Sequence, residues 1–97
     1  MENTDVLIVG AGVSGLSAAH FLRKMAPGLN VVLLEKSQRV GGAIRSHREQ
    51  GFLAEWGPHG FLDNAPASQE LLQDTGLEAE VKKAPLADFH RYLCHGG

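Results

Sequence analysis

Gly10, Gly12 and Gly15 are spaced as Gly-x-Gly-x-x-Gly, between an apolar run and a helical pattern. That spacing suits phosphate chemistry. Gly10 permits a tight turn out of a strand, Gly12 has no Cβ to keep a pyrophosphate off the backbone, and Gly15 lets a helix lie close to a sheet. The first amides of such a helix lack intrahelical partners and point at an anion, aided by the helix dipole. Glu35 lies 20 residues after Gly15. A carboxylate there accepts hydrogen bonds from ribose hydroxyls and repels a 2′-phosphate, which disfavours NADP; the plainer reading is a solvated charge at a strand end. In Arg39-Val40-Gly41-Gly42 the adjacent glycines let the chain pass close to a bulky ligand, and Arg39 either offsets pyrophosphate charge or fixes the loop. Gly57-Pro58-His59-Gly60 is a rigid turn whose amides could meet a flat ring system. Each of the last two loops, taken alone, is also an ordinary turn. Three such loops in order suit a long, extended dinucleotide.

The elements that must position these loops are legible around them. Residues 5–9 (Asp-Val-Leu-Ile-Val) are β-branched and aliphatic without a break, as in a parallel strand covered on both faces. Gly15, Ala18, Ala19, Leu22, Met25 and Ala26 recur at helical spacing until Pro27-Gly28 breaks the pattern. Residues 30–34 (Asn-Val-Val-Leu-Leu) read as a second strand, which makes a βαβ unit. Residues 44–48 and 52–56 read as extended runs of a hairpin around 49–51. Asp63 or Asn64 is expected to cap a helix with Pro66 in its first turn, Leu71 and Leu72 facing inward, and Gly76 in the left-handed position that ends it. A further strand is expected from Phe89 to Leu93.

Composition narrows the function class. The 97 residues are 43% hydrophobic and 21% charged, which is ordinary for a globular domain and excludes a disordered, collagen-like or coiled-coil chain. A formal charge of −2 makes a poor nucleic-acid binder. The charge is uneven, however: residues 1–50 carry six basic and four acidic side chains, residues 51–97 three and seven. The positive surplus lies with the glycines, as an anionic ligand would need. The single cysteine, Cys94, excludes an internal disulfide and reads as a small packing residue. The apolar run at Val6–Val9 follows acidic rather than basic residues and is too short to span a bilayer, so a cytoplasmic location is expected, with any membrane-surface contact made by other residues. The histidines at 20, 47, 59, 90 and 95 have no metal-ligand spacing, and neither a nucleophile–base pair nor paired acids stand out. Trp56 reads as a core or loop anchor.

Residues 9–16 (Val-Gly-Ala-Gly-Val-Ser-Gly-Leu), 34–37 (Leu-Glu-Lys-Ser) and 39–46 (Arg-Val-Gly-Gly-Ala-Ile-Arg-Ser) resemble the FAD-dependent amine oxidase superfamily. Residues 51–62 (Gly-Phe-Leu-Ala-Glu-Trp-Gly-Pro-His-Gly-Phe-Leu), 70–77 and 91–97 resemble the protoporphyrinogen oxidases more narrowly. The resemblance implies a Rossmann-type FAD-binding βαβ unit followed by a hairpin and a helix. In that frame Gly10, Ala11, Gly12, Val13, Ser14 and Gly15 would hold the FAD pyrophosphate, and Glu35 the ribose with Lys36 beside it. Arg39, Gly41, Gly42 and Ala43 would lie along the cofactor. Amine oxidases often have arginine where Ala43 stands, so that contact is missing here. Gly57, Pro58, His59 and Gly60 would line the flavin. Arg91 would face the substrate, suited to a porphyrinogen propionate, or else sit on the surface.

The resemblance also implies the reaction: a porphyrinogen oxidised to a porphyrin in two-electron steps during haem biosynthesis, with oxygen reoxidising the flavin. Amine oxidation, carotenoid desaturation and a non-catalytic FAD-binding module are the alternatives. Residues 1–85 would form the N-terminal part of the FAD domain and 86–97 the start of a substrate-domain segment. Two strong strands leave sheet edges open, Met1 suits a true start and Gly97 falls in a turn. The chain is therefore expected to be the first portion of a longer two-domain flavoenzyme and, expressed alone, to be inactive, to aggregate or be partly disordered, and to bind FAD weakly.

Overall fold

The computed structural model describes residues 3–88 and 90–96. The chain divides into two compact units, one ending at Leu62 and one starting at Asp63. The boundary expected between 85 and 86 falls inside the second unit.

In the first unit, β1 (Val6–Val9) leads into α1 (Val13–Met25) and then β2 (Val31–Leu34). The two strands pair in parallel, Val6 opposite Val31 through Val9 opposite Leu34. Asp5 closes the open end, its carboxylate accepting the Asn30 amide at 2.8 Å while Asp5 N–H donates to Asn30 O at 2.9 Å. α1 packs over both strands. Its inner stripe is Gly15, Ala19, Leu22 and Ala26, all half-buried, whereas Ala18 and Met25 of the expected stripe are exposed. Ala26 precedes Pro27 and is driven out of the helical region (φ −141°, ψ 69°), which ends the helix there.

The sheet is covered on one face only. Val6, Ile8, Val31 and Leu33 are half-buried, while Val9 is 80% and Leu34 51% exposed. This corrects the expectation of strands covered on both sides: side chains alternate along a strand, and α1 covers only one set. Ala11 is the one fully buried hydrophobic residue among those described.

β3 (Ser46–Glu49) and β4 (Phe52–Glu55) form an antiparallel hairpin. Gln50 (φ 50°) and Gly51 (φ 81°) make the two-residue turn with both φ positive, as a type I′ hairpin requires. The strands are shorter than the expected runs, although Trp56 N–H still donates to Arg45 O at 2.8 Å beyond the ladder.

The second unit holds α2 (Pro66–Thr75) and single 3-10 turns at Glu78–Glu80 and Leu86–Asp88, which the sequence pattern did not signal. The N-cap of α2 is Ala65, without a side-chain cap bond, so the cap expected from Asp63 or Asn64 is corrected. Pro66 at the first helical position, whose missing N–H costs nothing there, sets the start instead. Gly76 (φ 75°) ends the helix in the left-handed conformation, as expected, and Leu71 and Leu72 are half-buried. Residues 90–93 form no strand, which corrects that expectation; Phe89 lies outside the described residues. An extended segment without a pairing partner gains no ladder bonds.

Candidate functional site

The glycine loop joins β1 to α1. Gly10 (φ 100°) makes the turn and donates its N–H to Leu34 O at 2.7 Å, which ties the loop to the end of β2. Gly12 is the N-cap of α1 and supplies no side chain to cap it. The N–H groups of the first turn, including Val13 and Ser14, have no acceptor within the helix, and no acidic side chain stands in that turn. These amides lie at the positive end of a 13-residue helix dipole, an arrangement of the kind that suits an anion. Gly15 lies in the first turn, where a methyl group would collide with the Gly10 carbonyl oxygen. This is the close helix–strand approach expected of it.

Glu35 follows β2 and turns back onto this loop. Its Oε1 accepts the Ala11 amide at 3.0 Å, and its Oε2 accepts the Ser37 amide at 2.7 Å. These two backbone donors, with the Ser37 hydroxyl and nearby Lys36, hold its carboxyl down to about 2. Glu35 is thus a fixed anion at the end of the sheet, with carboxylate lone pairs left to accept hydroxyl groups.

The second glycine loop backs the first. Gly41 N–H donates to Ala11 O at 2.7 Å, and a Cβ on Gly42 would come within 3.0 Å of Gly12 Cα. Gly41 (φ 112°) and Gly42 (φ 59°) are therefore required by the turn and by the neighbouring loop. Arg39 resolves in favour of fixing the loop: its guanidinium donates to the carbonyls of Gly42 (2.6 Å), Val40 (3.1 Å) and Ile44 (3.3 Å). A third contact joins Gly57, where a Cβ would collide with the Ala43 carbonyl. Pro58, His59 and Gly60 continue as an exposed loop.

The structure thus brings Gly10 to Gly15, Glu35, Arg39, Gly41 to Ala43 and Gly57 into one assembly. Arg91 belongs to the second unit, exposed and outside regular structure. Beside Glu35 lies an open cleft of about 720 Å³, bounded by Glu35, Lys36, Arg39 and Gly42 and also by Ser37, Gln38 and Arg45. The last three line the cleft without having been expected there. The signal for Arg45 was there in the basic surplus of the first half of the chain, where Lys36, Arg39, Arg45 and Arg48 surround Gly41-Gly42. Ser37 was findable as a hydroxyl residue two positions after the carboxylate, able to close a local turn. No helix among the described residues is long and apolar enough to cross a membrane.

A parallel βαβ unit with a glycine turn, a free helix start and an acid ending the second strand defines a dinucleotide-binding domain. Residues 8–75 match the family described as NAD(P)-binding Rossmann-like domain, and the chain belongs to that family. Its relatives narrow the group. A coproporphyrinogen III oxidase of Staphylococcus aureus is 42% identical over 77 residues, 79% of this chain and 16% of that protein. Protoporphyrinogen oxidase 2 of Arabidopsis thaliana is 39% identical over 92 residues, 95% of this chain and 18% of that protein. An L-amino-acid oxidase of Echis ocellatus is 42% identical over 76 residues, 76% of this chain and 15% of that protein. Among solved structures, one assigned as a protoporphyrinogen oxidase from Exiguobacterium sp. 255-15 superposes with a TM-score of 0.70 at 35% identity, covering 81% of this chain and 18% of that one. A putrescine oxidase bound to putrescine gives 0.64 at 41% identity, covering 75% and 16%. The chain spans less than a fifth of the length of these relatives.

Proposed function

We propose that this chain is the FAD-binding opening segment of a flavin-dependent oxidase that converts a porphyrinogen to a porphyrin in haem biosynthesis. The residues fit FAD. The free amides at the start of α1 and the side-chain-free surface of Gly12 would take the pyrophosphate; Glu35 would take the ribose hydroxyls and reject a 2′-phosphate. Gly41, Gly42 and Ala43 would support the cofactor from behind, while Gly57 to Gly60 would reach its ring. When bound, the flavin accepts a hydride equivalent, and the protein supplies position and electrostatics. Arg91 would pair with a substrate propionate, and oxygen would be the final acceptor. Residues 1–85 would belong to the FAD domain and 86–97 to the start of the substrate domain.

One observation carries the porphyrinogen reading over an amine or amino-acid substrate. Similarity to the plant protoporphyrinogen oxidase extends over 95% of this chain, whereas similarity to the L-amino-acid oxidase covers 76%. It is the added length in this one plant relative that supports the porphyrinogen reading, since the coproporphyrinogen III oxidases match over 75–82% of the chain. The test is turnover by the purified full-length protein, yellow with flavin, offered protoporphyrinogen, coproporphyrinogen and a panel of amines and amino acids. Porphyrin fluorescence appearing with either porphyrinogen, and no peroxide from the amines, supports the proposal. Amine turnover without porphyrin formation overturns it.

A further inference from the structure

Three cations border the cleft beside Glu35, and they are not equivalent. Arg39 is committed to three backbone carbonyls. Lys36 stands next to Glu35 in sequence and its charge acts on that carboxylate. Arg45 differs from both: its guanidinium carbon stands 4.8 Å from the centre of the Trp56 ring. Among the described residues it has no side-chain hydrogen bond and no ion pair, so its donors are uncommitted. The pairing has a backbone cause. Arg45 and Trp56 face each other just beyond the β3–β4 ladder, joined by the Trp56 N–H to Arg45 O bond at 2.8 Å. Trp56 is 63% exposed and packs on His47 as well, with ring centroids 5.9 Å apart. An exposed indole thus lies against the Arg45 guanidinium at the border of the cleft, and the guanidinium donors make no hydrogen bond to the protein among the described residues.

We propose that Arg45, held by Trp56, is an anion-binding residue of the dinucleotide site and contacts the phosphate on the adenosine side. This inference rests on the FAD reading above and adds a residue to it. Ala43 carries no charge, Arg39 is occupied by the loop, and the hairpin supplies the cation from a different element. Trp56 acts as the positioning residue: by stacking, it restricts a long side chain before the ligand arrives, so less freedom is lost on binding.

The test is equilibrium binding to the full-length protein stripped of flavin, with FAD, ADP and adenosine as probes. Arg45→Gln should weaken FAD and ADP by about tenfold, the scale of one charge-assisted hydrogen bond, and leave adenosine unchanged. The FAD affinity of the unsubstituted protein should fall with added salt more steeply than that of the variant. Trp56→Ala should reproduce part of the loss, and Trp56→Phe, which keeps an aromatic face, should restore it. Equal ADP affinity with and without Arg45→Gln overturns the proposal, as does an equal loss for adenosine. Failure of the unsubstituted protein to bind FAD or ADP at all overturns the dinucleotide reading itself, and the Arg45 proposal with it.

Discussion

Gly15→Ala tests the closeness of α1 to β1 through the sign of a stability change. In an unobstructed helix interior, replacing glycine by alanine is stabilising by about 1 kcal/mol. Here the new methyl would strike the Gly10 carbonyl oxygen and lie 3.0 Å from Gly10 C and 3.3 Å from Ile8 Cγ2. The best carbon–carbon separation is about 3.5–4.0 Å. Gly10 cannot yield easily, because its N–H is held by Leu34 O at 2.7 Å and its φ is already 100°. The helix must lift instead, and the half-buried Ile8 then loses contact. Overpacking of this kind costs about 1–3 kcal/mol or more, and a backbone obstacle belongs at the upper end. The net expectation is a loss of about 2 kcal/mol after the propensity gain is subtracted. Gly28→Ala is the control, since nothing lies within 4 Å of its new methyl; it should be neutral or gain up to about 1 kcal/mol. The assay is the midpoint of urea unfolding of the full-length protein, followed by circular dichroism. Gly15→Ala as stable as the unsubstituted protein, or more stable, would refute the packing on which the loop geometry depends.

Other consequences follow from neighbouring contacts. Glu35 has a folded-state pKa lowered from 4.5 to about 2. Its anchoring of Ala11 should be fully present above pH 4.5 and lost only as pH falls towards 2; titrating its carboxyl carbon by NMR should give a midpoint well below the ordinary one, and a midpoint at 4.5 contradicts the two amide bonds. Gln50→Asn should raise the thermal midpoint, by about 0.5 kcal/mol of stability, because asparagine tolerates the positive φ of 50° better; an unchanged or lowered midpoint counts against the turn described. Gly57→Ala should cost about 1–3 kcal/mol through collision with the Ala43 carbonyl, read from the same urea midpoint, and an undisturbed midpoint would mean that these loops do not touch.

Much of the first unit was legible because its signals are local. An unbroken β-branched run, glycines at fixed offsets and a proline after the helix each act through the backbone of one or two residues. The turn at Gly76 was legible for the same reason. Contacts between segments were not. Nothing in the composition of residues 39–42 says whether Arg39 bonds a phosphate or its own loop; that depends on three carbonyls turning inward. Likewise nothing in the composition says that a side chain on Gly42 would meet Gly12. The misses share another cause. An apolar strand states that both faces seek cover, not that a given chain supplies it, and Val9 and Leu34 stay exposed. Asp63 and Asn64 are good capping residues, but the helix starts where Pro66 fits. Residues 90–93 pair with no segment among the described residues.

The most direct test of the central claim is an FAD titration of the full-length protein beside its Gly12→Val variant. Gly12 has a φ of −78° open to any residue, and a Cβ there meets nothing closer than Gly42 Cα at 3.8 Å, so the fold should persist. Saturable FAD binding with flavin absorbance is expected in the unsubstituted protein and none in the variant, both with the same circular dichroism. Equal FAD affinity in the two proteins would contradict it.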